Sequence, residues 1–277
     1  MTPNSAEALF RKSSATFFSS SLFFPPETRK KVTTLYAFVR TADDFVDATP
    51  QQAEEFQRFC DRYRAAVREG GCGFPPIDDF CCLAREHAFE QEWVDAFLAA
   101  MAQDLWKRTY ADLSETEAYM YGSAEVVGMM MARILELPDR LLPEARLLGR
   151  SFQYINFLRD IAEDEERGRC YLPQDEILRW GLRSLSLEEA ESKPEAFRAF
   201  MRTQVDRYRA WRREAQPGID AIPSALRVAI LTAADMYDRT ARAIEAEPLA
   251  VYRRRLKPKR LTVALAAVKN GIKVKWL

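Results

Sequence analysis

Six carboxylates and two arginines sit in two short segments whose other residues are mostly apolar. The first is LYAFVRTADDFVD (Leu35 to Asp47), and the second is QYINFLRDIAED (Gln153 to Asp164). At about 100° per residue, Tyr36, Arg40, Asp43 and Asp47 fall within about 60° on one helix face. Gln153, Asn156, Asp160 and Asp164 fall within about 80° in the same way. If the two faces meet across a cavity, pairs of carboxylates ~6 Å apart repel by about 3 kcal/mol at an effective dielectric near 20, and cations must compensate. All-oxygen donors without His or Cys suit a hard ion, and Mg²⁺ binds through a few carboxylates plus substrate phosphates. The chemistry this predicts is Mg²⁺-assisted handling of a phosphorylated compound. The alternative is a pair of buried ion-pair networks in which Arg40 and Arg159 are the internal partners.

The elements that must carry these faces are helices. Glycine is scarce, at 10 of 277 residues, and residues 27 to 49, 77 to 121, 150 to 167, 195 to 216 and 224 to 247 contain neither Gly nor Pro. Such stretches are too long for strands of about 5 to 6 residues and fit helices or helix pairs. Val32, Leu35, Val39 and Val46 recur at helical steps, as do Phe197, Met201, Val205 and Tyr208. The turn-rich segments at 69 to 76, 137 to 143, 168 to 173, 181 to 194 and 216 to 223 are short enough to be connections within one bundle. The class predicted is all-α, with no strand-alternating region. Residues 1 to 277 are expected to form one domain.

Composition narrows the function classes. Lys+Arg and Asp+Glu both number 41, which argues against a general nucleic-acid binder. The cancellation is uneven, because residues 251 to 277 hold nine Lys/Arg and no acid, leaving residues 1 to 250 at −9. No apolar run approaches the roughly 18 residues of a membrane span. Residues 14 to 24 imitate a signal peptide but are rich in hydroxyl side chains and run into Pro25-Pro26, so they read as mature protein. Five dispersed cysteines fit reduced thiols and a cytoplasmic location better than a disulfide framework. The single histidine, His87, excludes a two-imidazole zinc site, and the Cys72, Cys81, Cys82, His87 spacing lacks a paired C-x2-4-C hook.

With these motifs in place, the sequence resembles the squalene/phytoene synthase family, which joins two prenyl diphosphates head to head. The resemblance runs from about Ser14 to Arg260. It is carried by SATF (Ser14 to Phe17), PPETRKKVTTLYAFVRTADDFVD (Pro25 to Asp47), YGSAEVVG (Tyr121 to Gly128), QYINFLRDIAEDEERGRCYLP (Gln153 to Pro173) and YRRR (Tyr252 to Arg255). It implies an isoprenoid-synthase-type helical bundle around a central cavity, with Asp43, Asp47, Asn156, Asp160 and Asp164 as metal ligands. Asp44 and Glu163 belong to the motifs but lie off the main stripes. Arg40, Tyr237 and Arg254 would contact diphosphate, and Ser14, Phe17, Tyr36, Tyr121, Gln153, Asn156 and Arg159 would contact substrate, with Tyr121 and Arg40 also in the catalytic set. The activity implied is condensation through a cyclopropylcarbinyl diphosphate, with phytoene from two geranylgeranyl diphosphates as the leading product. Farnesyl diphosphate use, giving presqualene diphosphate, dehydrosqualene or squalene, is the alternative. The cofactor implied is Mg²⁺, with Mn²⁺ as a substitute, and NADPH only where squalene is the product. A non-catalytic helical binding protein of the same fold is the reading from another class, and loss of the aspartates would be its mark.

Three features stand apart from that resemblance. Glu125 in YGSAEVVG occupies a position where many relatives carry a small residue, and a buried Glu there must either pair with a cation or take up a proton. Gly122, Ala124 and Gly128 offer a small-residue surface for a polyprenyl tail or for close helix packing. The basic segment 261 to 277 carries Leu261, Leu265, Val268 and Ile272 at helical spacing beside Lys269, Lys273 and Lys275. It is expected either to touch anionic lipid or to pack as a core terminal helix. Nothing in the sequence specifies an oligomeric state.

Overall fold

A computed structural model describes residues 15–254, 256 and 259–275. Ser14 and the side chain of Phe17 lie outside the described residues. The helices in chain order are α1 (Ala15–Ser21), α2 (Pro26–Asp47), α3 (Ala53–Glu69), α4 (Pro75–Glu86), α5 (Gln91–Gln103), α6 (Leu113–Met120), α7 (Val126–Ile134) and α8 (Leu142–Arg159). They continue with α9 (Ile161–Glu166), α10 (Gln174–Arg179), α11 (Leu187–Ser192), α12 (Pro194–Glu214), α13 (Gln216–Asp220), α14 (Ser224–Ala246), α15 (Ala250–Arg253) and α16 (Arg260–Lys275). The class is all-α. The strands among the described residues are β1 (Thr109–Tyr110) and β2 (Cys170–Pro173), paired in parallel, a pairing too short to leave an alternating signature in the sequence.

Local chemistry sets the helix ends. Prolines open α2, α4 and α12 in the first turn, where a missing N–H removes no helical bond. Asp112 caps α6 by accepting from the Glu115 N–H, and the Glu115 carboxylate returns a bond to the Ala111 N–H. The stretch 77 to 121 is broken without Gly or Pro. After α4 the chain turns at Ala88, whose φ of 49° is one that an L side chain adopts at a cost of about 1 kcal/mol.

Helix α2 has two faces with different tasks. Its outer face buries Val32, Leu35, Phe38, Ala42 and Val46, and Phe38 stacks on Phe80 of α4 at 3.9 Å between ring centres. Full burial of a side chain such as Phe38 stabilises by about 1.5–3 kcal/mol, which anchors the helix against α3, α4 and α5. The inner face carries Tyr36, Arg40, Asp43 and Asp47 to a central cavity.

On the opposite wall α8 lies between α7, α12 and α14. It crosses α7 very closely, because a Cβ on Gly149 would stand 2.5 Å from the Ala124 carbonyl oxygen and one on Gly128 would stand 2.4 Å from that of Ala145. Ala124 and Gly128 line the cavity as well, so the two readings of this small-residue surface coexist. Gly122 serves packing alone, facing the Ala96 carbonyl of α5. Between α6 and α7 the residues Tyr121–Glu125 form a π-helical turn. Glu125 is fully buried there and accepts from Arg146 Nε at 3.0 Å and Arg150 Nε at 2.6 Å, so it is resolved by pairing with cations.

Candidate active site

The cavity encloses about 360 Å³. One end is polar, walled by the C-terminal half of α2, the end of α8 and α9. The remainder is mostly apolar, with Met131 from α7, Leu135 just past it, Leu148 from α8, and Ile219 and Ile222 from around α13, and among the described residues Glu144 is the one acid that lines it.

Asp43, Asp47, Asp160 and Asp164 all line the polar end, together with Asn156, Gln153, Arg40, Arg159, Tyr36 and Tyr237. The second motif is not one uninterrupted helix. At Asp160 (φ −100°, ψ 15°) the chain leaves α8, and α9 begins at the next residue. The i→i+4 bonds nevertheless continue, from the Asp160 N–H to the Asn156 carbonyl and from the Asp164 N–H to the Asp160 carbonyl, each at 2.8 Å. The break therefore leaves Asn156, Asp160 and Asp164 on one side.

Each motif pairs partly with its own arginine. Arg40 bonds Asp43 and Asp44 at 2.5 Å each, and Arg159 forms a two-pronged contact with Asp160. This is the ion-pair arrangement set out above as the alternative, but it leaves negative charge over. Six acids line the polar end (Asp43, Asp47, Asp104, Asp160, Glu163, Asp164) against four arginines (Arg40, Arg159, Arg167, Arg169). Burial, reinforced by Asp47 and Asp104 and opposed by Arg40, pushes the Asp43 carboxyl up to about 7. Burial, with Asp160 and Asp47 adding to it and Arg167 and Arg169 opposing, pushes Asp164 up to about 8. Asp47 acts on acids of both motifs, so the two faces do converge.

Some residues at this end carried no sequence signal. Asp104, one acid at the end of the apolar α5, accepts from the hydroxyls of Tyr119 at 2.6 Å and Tyr171 at 2.9 Å. Burial lifts its carboxyl to about 6, although Tyr119, Arg169 and Tyr171 oppose the rise. Arg169, 4% exposed, donates to Asp47 Oδ1 at 2.6 Å and to the Val46 carbonyl at 2.7 Å, tying the end of α2 to the start of β2. Arg169 and Tyr171 stood inside the RGRCYLP stretch, and their proximity to Asp47 was the missing information. An isolated acid such as Asp104 has no periodic pattern to betray it.

Two residues assigned from the resemblance lie off the cavity lining. Tyr121 does not line the cavity. Its ring lies against the Arg146 guanidinium at 5.2 Å, while the π turn directs Ser123 and Ala124 inward instead. Arg254 is exposed and pairs with Glu247 at 2.9 Å, on extended backbone just past α15. Asp44 also stays off the cavity, paired to Arg40, whereas Glu163 does line it. His87 lies away from the cavity, with Nδ1 3.1 Å from the Arg133 carbonyl oxygen, and the five cysteines are free.

Aromatic faces complete the walls. Phe152 stacks on Tyr237 at 4.3 Å, and Tyr36 stands near Tyr237, with burial and that neighbour raising its hydroxyl above the ordinary range. Phe157 stacks on Tyr171 at 4.5 Å.

The donor set fits a hard divalent cation. It is all oxygen, it carries excess negative charge, and the buried Oδ1 of Asn156 has no hydrogen-bond partner. Among the described residues no three acidic, His or Cys side chains form a ready-made metal cage. That spacing suits an ion shared with substrate phosphates rather than one held by protein alone.

Comparison with known proteins agrees with this geometry. A family model described as squalene/phytoene synthase matches residues 10–262. The 15-cis-phytoene synthase of Paracoccus sp. (strain N81106 / MBIC 01143) is 30% identical over 262 residues, covering 91% of this chain and 84% of that protein. Phytoene synthase 2, chloroplastic, of Solanum lycopersicum is 30% identical over 260 residues, covering 89% and 83%. Among solved structures, a dehydrosqualene synthase in complex with ligand superposes with a TM-score of 0.83 at 19% identity, over 99% of this chain and 97% of that one. The squalene synthase of Alicyclobacillus acidocaldarius superposes at 0.76 and 21% identity, over 93% and 95%. At those identities the structural likeness establishes the fold alone, and the family rests on the sequence matches. The chain belongs to the squalene/phytoene synthase family, whose members are prenyltransferases acting on prenyl diphosphates.

Proposed function

We propose that this protein condenses two geranylgeranyl diphosphates to phytoene in the cytoplasm. The observation that carries the reading is the convergence of the two aspartate faces over an otherwise mostly apolar cavity, supported by the phytoene synthases named above. Asp43, Asp47, Asn156, Asp160 and Asp164 would hold Mg²⁺, with Mn²⁺ as a substitute. When bound, the ion supplies neutralisation of the charge that develops on a departing diphosphate.

The protein's own groups account for the rest. Arg40, Arg159, Arg167 and Arg169 line the end where diphosphate would lie and are already oriented by acids, so little reorganisation is needed as charge shifts to the leaving group. Loss of diphosphate leaves an allylic cation. The faces of Tyr36, Phe152 and Tyr237 attract it by about 0.5 to 2 kcal/mol each. The apolar lining beyond keeps out the water that would quench it. The second ionisation, from a cyclopropylcarbinyl diphosphate, would end in proton loss, so no NADPH is required.

Incubating the protein with Mg²⁺ and either farnesyl or geranylgeranyl diphosphate tests the reading. Diphosphate release and a C40 hydrocarbon from the C20 substrate are expected. A C30 product formed only from the C15 substrate would replace phytoene synthesis with the farnesyl reading, and no release from either would end both.

A further inference from the structure

Helix α16 has two apolar faces and only one is used by the fold. Val263, Ala267, Asn270 and Val274 are buried against α14 and α1, and Asn270 Nδ2 donates to Asp235 Oδ2 at 2.9 Å. On the other side Leu261, Leu265, Val268 and Ile272 are 71%, 63%, 64% and 58% exposed. These four lie within about 60° of one another around the helix, so they form one stripe along roughly 17 Å of it. Of the eleven large hydrophobic side chains exposed among the described residues, four are in this single stripe.

Charge indicates what covers it. Lys269 and Lys273 are exposed beside the stripe, and residues 251 to 277 contain no acid, while the rest of the chain carries −9. We propose that the outer face of α16 docks this protein on an anionic lipid bilayer, with Leu261, Leu265, Val268 and Ile272 entering the headgroup boundary and the flanking lysines meeting lipid phosphates. An amphipathic helix bound by apolar area plus basic charge is the form such contacts take. The net-acidic remainder is repelled by the same surface, which favours an orientation with the α16 side facing it. A second copy of the chain is a poorer occupant, because a two-fold α16 contact sets Lys269 and Lys273 of one copy against the same stripe edges of the other. The docking places the bilayer one helix away from the cavity, since α14, on which α16 rests, lines the cavity with Ile230 and Tyr237.

The test is flotation of the full-length protein, without substrate, on vesicles of phosphatidylcholine alone or mixed with phosphatidylglycerol. Wild type should float with the anionic vesicles, and L265E/V268E/I272E should lower its partition by about tenfold or more. K269E/K273E should abolish the preference for phosphatidylglycerol and leave the melting temperature unchanged. Equal flotation of wild type and the triple variant, or wild type remaining unbound, overturns the proposal. So does a wild-type dimer seen by light scattering that the triple variant loses, which would make the occupant a second copy. Diphosphate release is measured separately on the same proteins, so failure here leaves the reaction reading intact.

Discussion

Asp43 and Asp164 are held in a state that folding alone does not favour. Their carboxyls are raised to about 7 and about 8, against roughly 3.9 in an unfolded chain, so between those values the folded protein binds more protons than the unfolded one. Stability from these two groups is therefore greatest at low pH and is lost as pH rises through 7 to 8, provided no cation is present. The metal-free protein should melt lower at pH 8.5 than at pH 6, and Asp43→Asn/Asp164→Asn should flatten that slope and melt above wild type at pH 8.5. A difference of 1 kcal/mol corresponds to about 2–4 °C at this size. A double variant that melts below wild type at pH 8.5 would show that the carboxylates are satisfied in the fold. The same substitutions, and Asp160→Ala, should lower diphosphate release by about 10²-fold or more while far-UV circular dichroism is unchanged. Retained turnover at low Mg²⁺ would remove these residues from the ion.

At the level of elements, the helices and both acidic faces were legible because periodicity and breaker residues are local properties. Pro26, Gly70 and Pro194 bound α2, α3 and α12 where their backbone chemistry dictates. What was not legible depends on neighbours distant in sequence. Asp104 reaches Tyr171 and Arg169 reaches Asp47 across 67 and 122 positions, and no window contains both partners. Tyr121 was assigned from the resemblance alone, and the π turn that sets its ring against Arg146 has no compositional mark. Glu125 shows what holds that turn. Its carboxylate, with no exposed surface, joins the turn to α8 through Arg146 and Arg150. Glu125→Ala removes the buried partner of both guanidiniums, but Arg146 is half-exposed and Arg150 keeps Glu117, so it should destabilise by about 1.5–3 kcal/mol. Glu125→Gln should recover part of that loss by keeping hydrogen bonds without the charge. Chemical denaturation of the three proteins checks this, and an alanine variant as stable as wild type would mean the π turn is held by packing alone.

Across the whole molecule, charge is sorted rather than balanced. The net of zero is made from an acidic body and a basic end, and within the body a fraction of the acids is drawn inward to one end of the cavity. Those acids approach one another without forming a cage for an ion, and arginines already occupy part of their lone pairs. A cation alone gains few ligands there, and diphosphate alone meets carboxylates that repel it. Together each supplies what the other lacks, because phosphate oxygens complete the coordination and the ion screens the acids. Global stability should register this as synergy. Mg²⁺ alone or inorganic diphosphate alone should move the melting temperature little, whereas both together at ~100-fold excess over the dissociation constant should add about 2.7 kcal/mol, or roughly 5–10 °C. The gain should vanish in Asp43→Asn/Asp164→Asn, whose fold is intact by the first prediction. A full shift from Mg²⁺ alone would mean that the protein holds the ion unaided, and an additive response would mean that ion and diphosphate bind at separate places.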